Sequence, residues 1–273
     1  MRLSFLAILG VGWTVCFVLV LILPLAGLYF RAPLKVLRSA ECCFIVREAL
    51  VLSLTTSLIT TALTFVIGTP VAYTLARVNF RGRRLLEALV ELPLTLPPVV
   101  AGVALVLVFG RKGIIGGPLG LELTFTQAAV VMAQFMVASP YYIKTAVGAF
   151  SMVPEPLLQA SKTLGAGPFR TFRCVVLPLC GKGLVAGLAM TWARAIGEFG
   201  ATTMFAGNLP GTTQTMPLAI KEMMDVNLDA GVALAVVMLT SCLAVFFLAR
   251  RLLRPTIGPL MQQGKSGPAG AGA

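Results

Sequence analysis

The sequence predicts an all-α membrane protein, a polytopic bundle of about six transmembrane helices. Three observations carry that reading. Of 273 residues, 58% are hydrophobic and 12% charged; the charged share is about half that of a soluble domain. Mean hydropathy is +0.92, too apolar for a disordered chain or a water-soluble surface. The charges are also clumped, leaving uncharged runs near the ~20 residues that a helix needs to cross the hydrocarbon.

The first such run is Leu3–Phe30, between Arg2 and Arg31. It is far longer than the ~7–15 residues of a signal-peptide core, and no small-residue cleavage site stands out, so it reads as an uncleaved span. Ala49–Ala76 is the second run. Leu92–Gly110 is the third and opens with Pro93, Pro97 and Pro98. Leu123–Ile143 is the fourth. The fifth, Gly183–Phe205, carries Arg194 and Glu198 inside it. Ala230–Ala249 is the sixth, closed by Arg250, Arg251 and Arg254. The tail from Gly264 is low-complexity and is expected to be disordered. The chain thus divides into residues 1–47 (first span and outer loop), 48–250 (the main transmembrane domain) and 251–273 (a tail).

Lys and Arg number 22 against 10 Asp and Glu. In a membrane bundle such an excess marks the cytoplasmic loops. Placing both termini inside puts 14 cationic residues in cytoplasmic segments and 7 outside. The first outer loop is discordant, since it holds Arg31, Lys35, Arg38 and Arg47. Aromatics interleaved with a basic patch, as single-strand nucleic-acid binders need, are absent from the sequence. Six cysteines without CxxC, and no His, give no zinc or redox motif.

Residues 144–182 form the longest cytoplasmic segment in this scheme. Pro154 suits a helix start, and Pro156–Leu164 has a mild helical pattern with Leu157, Leu158 and Leu164 apolar. Gly165–Pro168 is a break. Phe169–Val176 reads as a second short helix, and Leu177-Pro178 leads into the fifth span. The result is a compact surface knob at about residues 150–178, or alternatively an amphipathic segment lying on the bilayer.

Within that knob stand Gln159, Ala160 and Ser161, then Gly165 after three residues, then Val175, Leu177 and Pro178 after nine more. This resembles the coupling motif of ABC importer permeases: Glu-Ala-Ala, three residues, Gly, nine residues, Ile-x-Leu-Pro. Gln replaces Glu, Ser replaces Ala and Val replaces Ile; the Gln removes a charge from the knob and leaves open whether a salt bridge to the ATPase is made there. Residues 91–117 and 192–220 resemble the molybdate branch of that family, through Leu96-Pro97-Pro98-Val99-Val100, Gly197–Thr202 and Phe205–Asn208. Sulfate permeases are a sister branch and stay open as an alternative; tungstate is not separable from molybdate.

The resemblance implies a transport subunit rather than an enzyme. It implies a homodimer in a bacterial-type inner membrane, with two copies of a separate ABC ATPase that binds ATP and Mg, and an extracytoplasmic molybdate-binding protein. No cofactor is expected on this chain. The only Gly-Lys-Ser, at 264–266, lacks the leading Gly of a phosphate loop because residue 259 is Pro. In this scheme the knob is a lever by which ATPase closure moves the spans as rigid bodies.

An oxyanion route must be polar enough to admit a dianion without trapping it on fixed cations. Thr95, Thr202, Thr203, Gln214 and Thr215 are the candidate lining residues. Pro97 and Pro98 break the third helix, either to open backbone groups to a cavity or as a packing kink. Met204 and Phe205 are a gate or ordinary packing. Arg194 and Glu198, four apart, share a helix face and pair, either permanently or as a network that reorganises. Gly183 and Gly187 form a small-residue face for close helix approach, within the chain or across a dimer. A secondary transporter is the rival class; it asks for inverted repeats and midplane carboxylates, and Glu198 is the lone candidate. A membrane enzyme would need a His, a nucleophile motif or paired carboxylates, and none is in the sequence.

Overall fold

The computed structural model describes residues 5–33, 40–120 and 122–252. Lys35, Arg38, Arg254, Gly264–Ser266 and the expected disordered tail lie outside the described residues. By contacts the chain forms two compact units, Met1–Met238 and Leu239–Ala273; what is described of the second is the end of the last helix.

All the regular structure among the described residues is helical. In order, the helices are α1 Phe5–Arg31, α2 Ala40–Arg77, α3 Arg83–Thr95, α4 Pro98–Phe109, α5 Gly116–Leu119, α6 Gln127–Ser151, α7 Glu155–Thr163, α8 Pro168–Thr171, α9 Leu177–Ile196, α10 Gly200–Phe205, α11 Met216–Val226 and α12 Leu228–Leu252. A π-helical stretch, Phe172–Val176, joins α8 to α9. Four helical stretches are long and apolar enough to cross a membrane: Leu9–Arg31, Phe44–Arg77, Pro168–Ile196 and Leu228–Leu248. The bent pair α3–α4 makes up to five.

That count falls short of the expected six for a physical reason. The fourth expected span is a helix, α6, but it starts and ends later than Leu123–Ile143. Thr126 caps it, its Oγ1 accepting the Ala129 N–H at 3.2 Å. Lys144 lies inside it, paired with Glu91 at 3.1 Å, rather than ending it. This helix is sheathed by protein, packing on α2, α9, α10, α3 and α4, so it tolerates more polar residues than a lipid-facing span.

The contact face of α6 is built from small side chains. Ala129, Ala133, Ala138 and Ala146 are fully buried, which lets neighbouring backbones close in. Between α2 and α6, Thr60 Oγ1 donates to Gln134 Oε1 at 3.0 Å, and Gln134 Nε2 donates to Thr56 Oγ1 at 3.2 Å. The α6–α9 seam answers where the small-residue face goes. A Cβ on Gly183 would lie 2.7 Å from Ala149 Cβ, and one on Gly187 would lie 3.2 Å from Thr145 Cβ. Both glycines therefore serve packing inside the chain.

The third expected span is bent rather than straight. Its helices α3 and α4 meet at 114°. Leu96, before Pro97, is held extended at φ −79° and ψ 137°, the conformation that a following proline favours. Helix α4 has 12 residues and is only about 18 Å long, too short to cross the hydrocarbon alone. The fifth expected span is likewise shifted: the helix begins upstream at Pro168 and stops at Ile196, so α10 is a separate short helix.

Candidate functional site

Two places bring the predicted residues together. The first is the knob after α6. A linker of residues 152–154 leads into α7, whose Leu158 is buried in a core cluster with Leu75, Phe150 and Val176. Ser161 is buried and donates to Leu158 O at 2.8 Å. Its single proton is thereby used, so Thr171 donates to Ser161 Oγ across 3.0 Å. That bond fastens α7 to α8. Gly165 takes a positive φ of +74°, a conformation that favours glycine, and reverses the chain between them. Gln159 and Ala160 are exposed on the outer face, and Leu164 and Phe169 present apolar surface at 86% and 75% exposure.

Val175 and Leu177 are half-buried and Pro178 is exposed. The expected second short helix is continuous with the fifth span, through the π turn. Pro178 lacks the N–H that would bond to Cys174 O, and the backbone adjusts by widening just before it, with Leu177 N bonding to Phe172 O. The knob is thus rooted directly in α9. Sequence reasoning missed Arg77, which ends α2 and donates through Nη2 to Phe150 O at 2.6 Å and to Val153 O. Its Nη1 lies 3.6 Å from Glu155 Oε2. Arg77 figured in the sequence only as the charge that closes an apolar run.

The second place is where the two broken spans meet. A Cβ on Gly200 would lie 3.1 Å from Pro98 Cβ, and one on Gly102 would lie 2.7 Å from Met204 Cβ and 2.8 Å from Ala201 O. The starts of α4 and α10 therefore touch at two points, Pro98 against Gly200 and Gly102 against Met204. Arg194 Nη1 pairs with Glu198 Oε2 at 2.6 Å, and Glu198 Oε1 accepts the Ala201 N–H at 2.8 Å. Glu198 thus bridges the end of α9 to the start of α10. Thr202 is wholly buried and its hydroxyl has no partner. Phe205 is buried among Ala101, Leu105 and Val130, while Met204 is exposed on one side.

The remaining lining candidates are dispersed. Thr95 donates to Leu92 O at 2.9 Å and Thr203 to Phe199 O at 2.6 Å, each within its own helix. Gln214 and Thr215 are buried beside α11. There Gln214 Nε2 and Asn208 Nδ2 both donate to Glu222 Oε2, at 2.6 and 2.7 Å, an acidic anchor that no spacing in the sequence announces. Met216 N donates to Ser53 Oγ at 2.7 Å and ties this loop to α2.

Residues 65–258 match the family described as the inner membrane component of binding-protein-dependent transport systems. The chain belongs to this family. It is a permease subunit of an ABC importer and a multi-pass membrane protein. Permeases of this kind are transport components that work with separate ATPase subunits and a binding protein. The chain is 39% identical to the probable transport permease NifC of Clostridium pasteurianum, over 76% of this chain and 74% of that one. It is 42% identical to the molybdenum transport permease ModB of Mycobacterium tuberculosis, over 70% and 74%. A probable sulfate permease, cysT of Helicosporidium, is 30% identical over 84% and 88%. Among solved structures, the fold resembles a chain of the methionine ABC transporter MetNI in inward-facing conformations, with a TM-score of 0.66, 21% identity and coverage of 79% and 98%. It also resembles a chain of a bacterial alginate importer, at 0.70, 16%, 92% and 97%.

Proposed function

We propose that this permease carries molybdate, with tungstate accepted by the same chemistry. The observation that carries the reading is the higher identity to molybdenum permeases, 38–42%, than to the sulfate permease, 30%. Two copies of the chain form the pathway in a bacterial inner membrane, with both termini inside. Two ATPase subunits dock on the knobs through Gln159, Ala160, Leu164 and Phe169, and bind ATP and Mg. An extracytoplasmic binding protein delivers the dianion.

In this reading the broken spans supply the passage. Pro97 and Pro98 free backbone groups at the start of α4, and Thr202 and Thr215 offer hydroxyls that have no partner in the chain. Arg194 is neutralised by Glu198, so the route holds no bare cation to trap the anion. The test is anion stimulation of ATP hydrolysis by the assembled transporter with its binding protein. Stimulation by molybdate and tungstate, with sulfate inactive, is expected. Stimulation by sulfate at equal concentration would move the assignment to the sister branch.

A further inference from the structure

We infer that Arg77 is the positioning residue that fixes coupling helix α7 to the transmembrane helices, so that movement of the ATPase reaches α2 and α6 instead of being absorbed at the linker 152–154. The inference rests on the coupling reading of residues 150–178.

Arg77 touches three elements from one guanidinium. It is the last residue of α2. Its Nη2 closes the carbonyls of Phe150, in the last turn of α6, and of Val153, in the linker. Carbonyls at a helix end lack intrahelical partners, and a cation there also suits the helix dipole. Its Nη1 faces Glu155, the first residue of α7, where a carboxylate suits the opposite end of a dipole. The arginine side chain is 16% exposed and that of Glu155 is 56% exposed. The planar fork is what allows one side chain to hold groups on both sides of the linker, which a lysine cannot do.

The surroundings make this contact a joint rather than a surface ion pair. The linker is three residues long, and Pro154 has a fixed φ of −63°. Leu158 and Leu75 sit in one core cluster, one helical turn or less from Glu155 and Arg77. On its far side α7 is held by the Ser161–Thr171 bond. The helix is therefore pinned at both ends, and Arg77 is the pin on the side of α2.

The experiment uses the full transporter in proteoliposomes, with its ATPase and binding protein. Molybdate uptake and ATP hydrolysis are measured together for wild type, Arg77→Gln and Glu155→Gln. Arg77→Gln is expected to assemble and to hydrolyse ATP, while uptake per ATP falls about fivefold or more. Glu155→Gln, which keeps both carbonyl bonds, falls in the same direction by a smaller factor. Spin labels at Asn79 and Lys162, both exposed, give a substrate-independent reading: a narrow distance distribution in wild type and a broad one in Arg77→Gln. An assembled Arg77→Gln with unchanged uptake per ATP and unchanged distances overturns the inference. If Arg77→Gln does not assemble, Glu155→Gln decides, and unchanged coupling and distances in that variant overturn it. A wild-type complex that does not move molybdate counts against the substrate assignment, and the label distances then judge Arg77 alone.

Discussion

Glu198 bridges a helix break: one carboxylate oxygen lies 2.6 Å from Arg194 Nη1 and the other accepts the Ala201 N–H at 2.8 Å. Glu198 is 1% exposed and Arg194 25%. Removing one partner of a buried pair leaves an uncompensated charge and costs about 3–5 kcal/mol. Arg194→Ala is therefore expected to lower the midpoint of thermal unfolding in detergent by about 6–20 °C, taking roughly 2–4 °C per kcal/mol. The double variant Arg194→Met with Glu198→Gln recovers more than half of that loss. Equal losses in the single and double variants would show that the pair is not what stabilises the break.

The α6–α9 seam makes a second prediction. Gly183→Ala places a methyl 2.7 Å from Ala149 Cβ, and such overpacking costs about 1–3 kcal/mol. Ala149→Gly on the partner helix is expected to restore most of the stability. Failure of that second change to rescue, in denaturant unfolding, would place the clash elsewhere.

The polar contact between α2 and α6 is expected to contribute modestly. Gln134→Leu removes the bonds to Thr56 and Thr60, and interhelical bonds in membranes are worth about 0.6–1.7 kcal/mol. A loss in that range on unfolding supports a simple clasp. A loss of transport with no loss of stability would instead assign Gln134 to the moving parts.

The knob surface separates docking from folding. Leu164 and Phe169 are both exposed. Leu164→Asp is expected to change permease stability by no more than about 0.5 kcal/mol. Recovery of the ATPase with the purified permease is expected to fall about tenfold, a loss near 1.4 kcal/mol. Full recovery of the ATPase would remove Leu164 from the docking surface.

Much of this architecture was legible in the sequence because apolar runs and prolines act locally. Pro97 dictates the extended Leu96, and Gly165 its turn. The small-residue face of α9 is visible as Gly183 and Gly187, but the partner, Ala149, is not, since nothing local says which helix packs there. The runs also misplace helix ends. The second and fourth runs stop at Ala49 and Ile143, yet Glu48 and Lys144 lie inside α2 and α6, Lys144 paired with Glu91. Arg77 and Glu222 escaped notice because their importance depends on carbonyls and amides brought to them by the fold. Of the lining candidates, the hydroxyls of Thr95 and Thr203 turn back to their own helices, a preference that threonine shares in any helix.

ATP-driven movement of molybdate through this chain can be measured directly. The measurement is uptake of radiolabelled molybdate into proteoliposomes holding the permease, its ATPase and its loaded binding protein, with and without ATP on the ATPase side. Uptake that requires ATP, and that persists in excess sulfate, is expected. Uptake that proceeds unchanged without ATP would refute ATP-driven import and point to a secondary transporter.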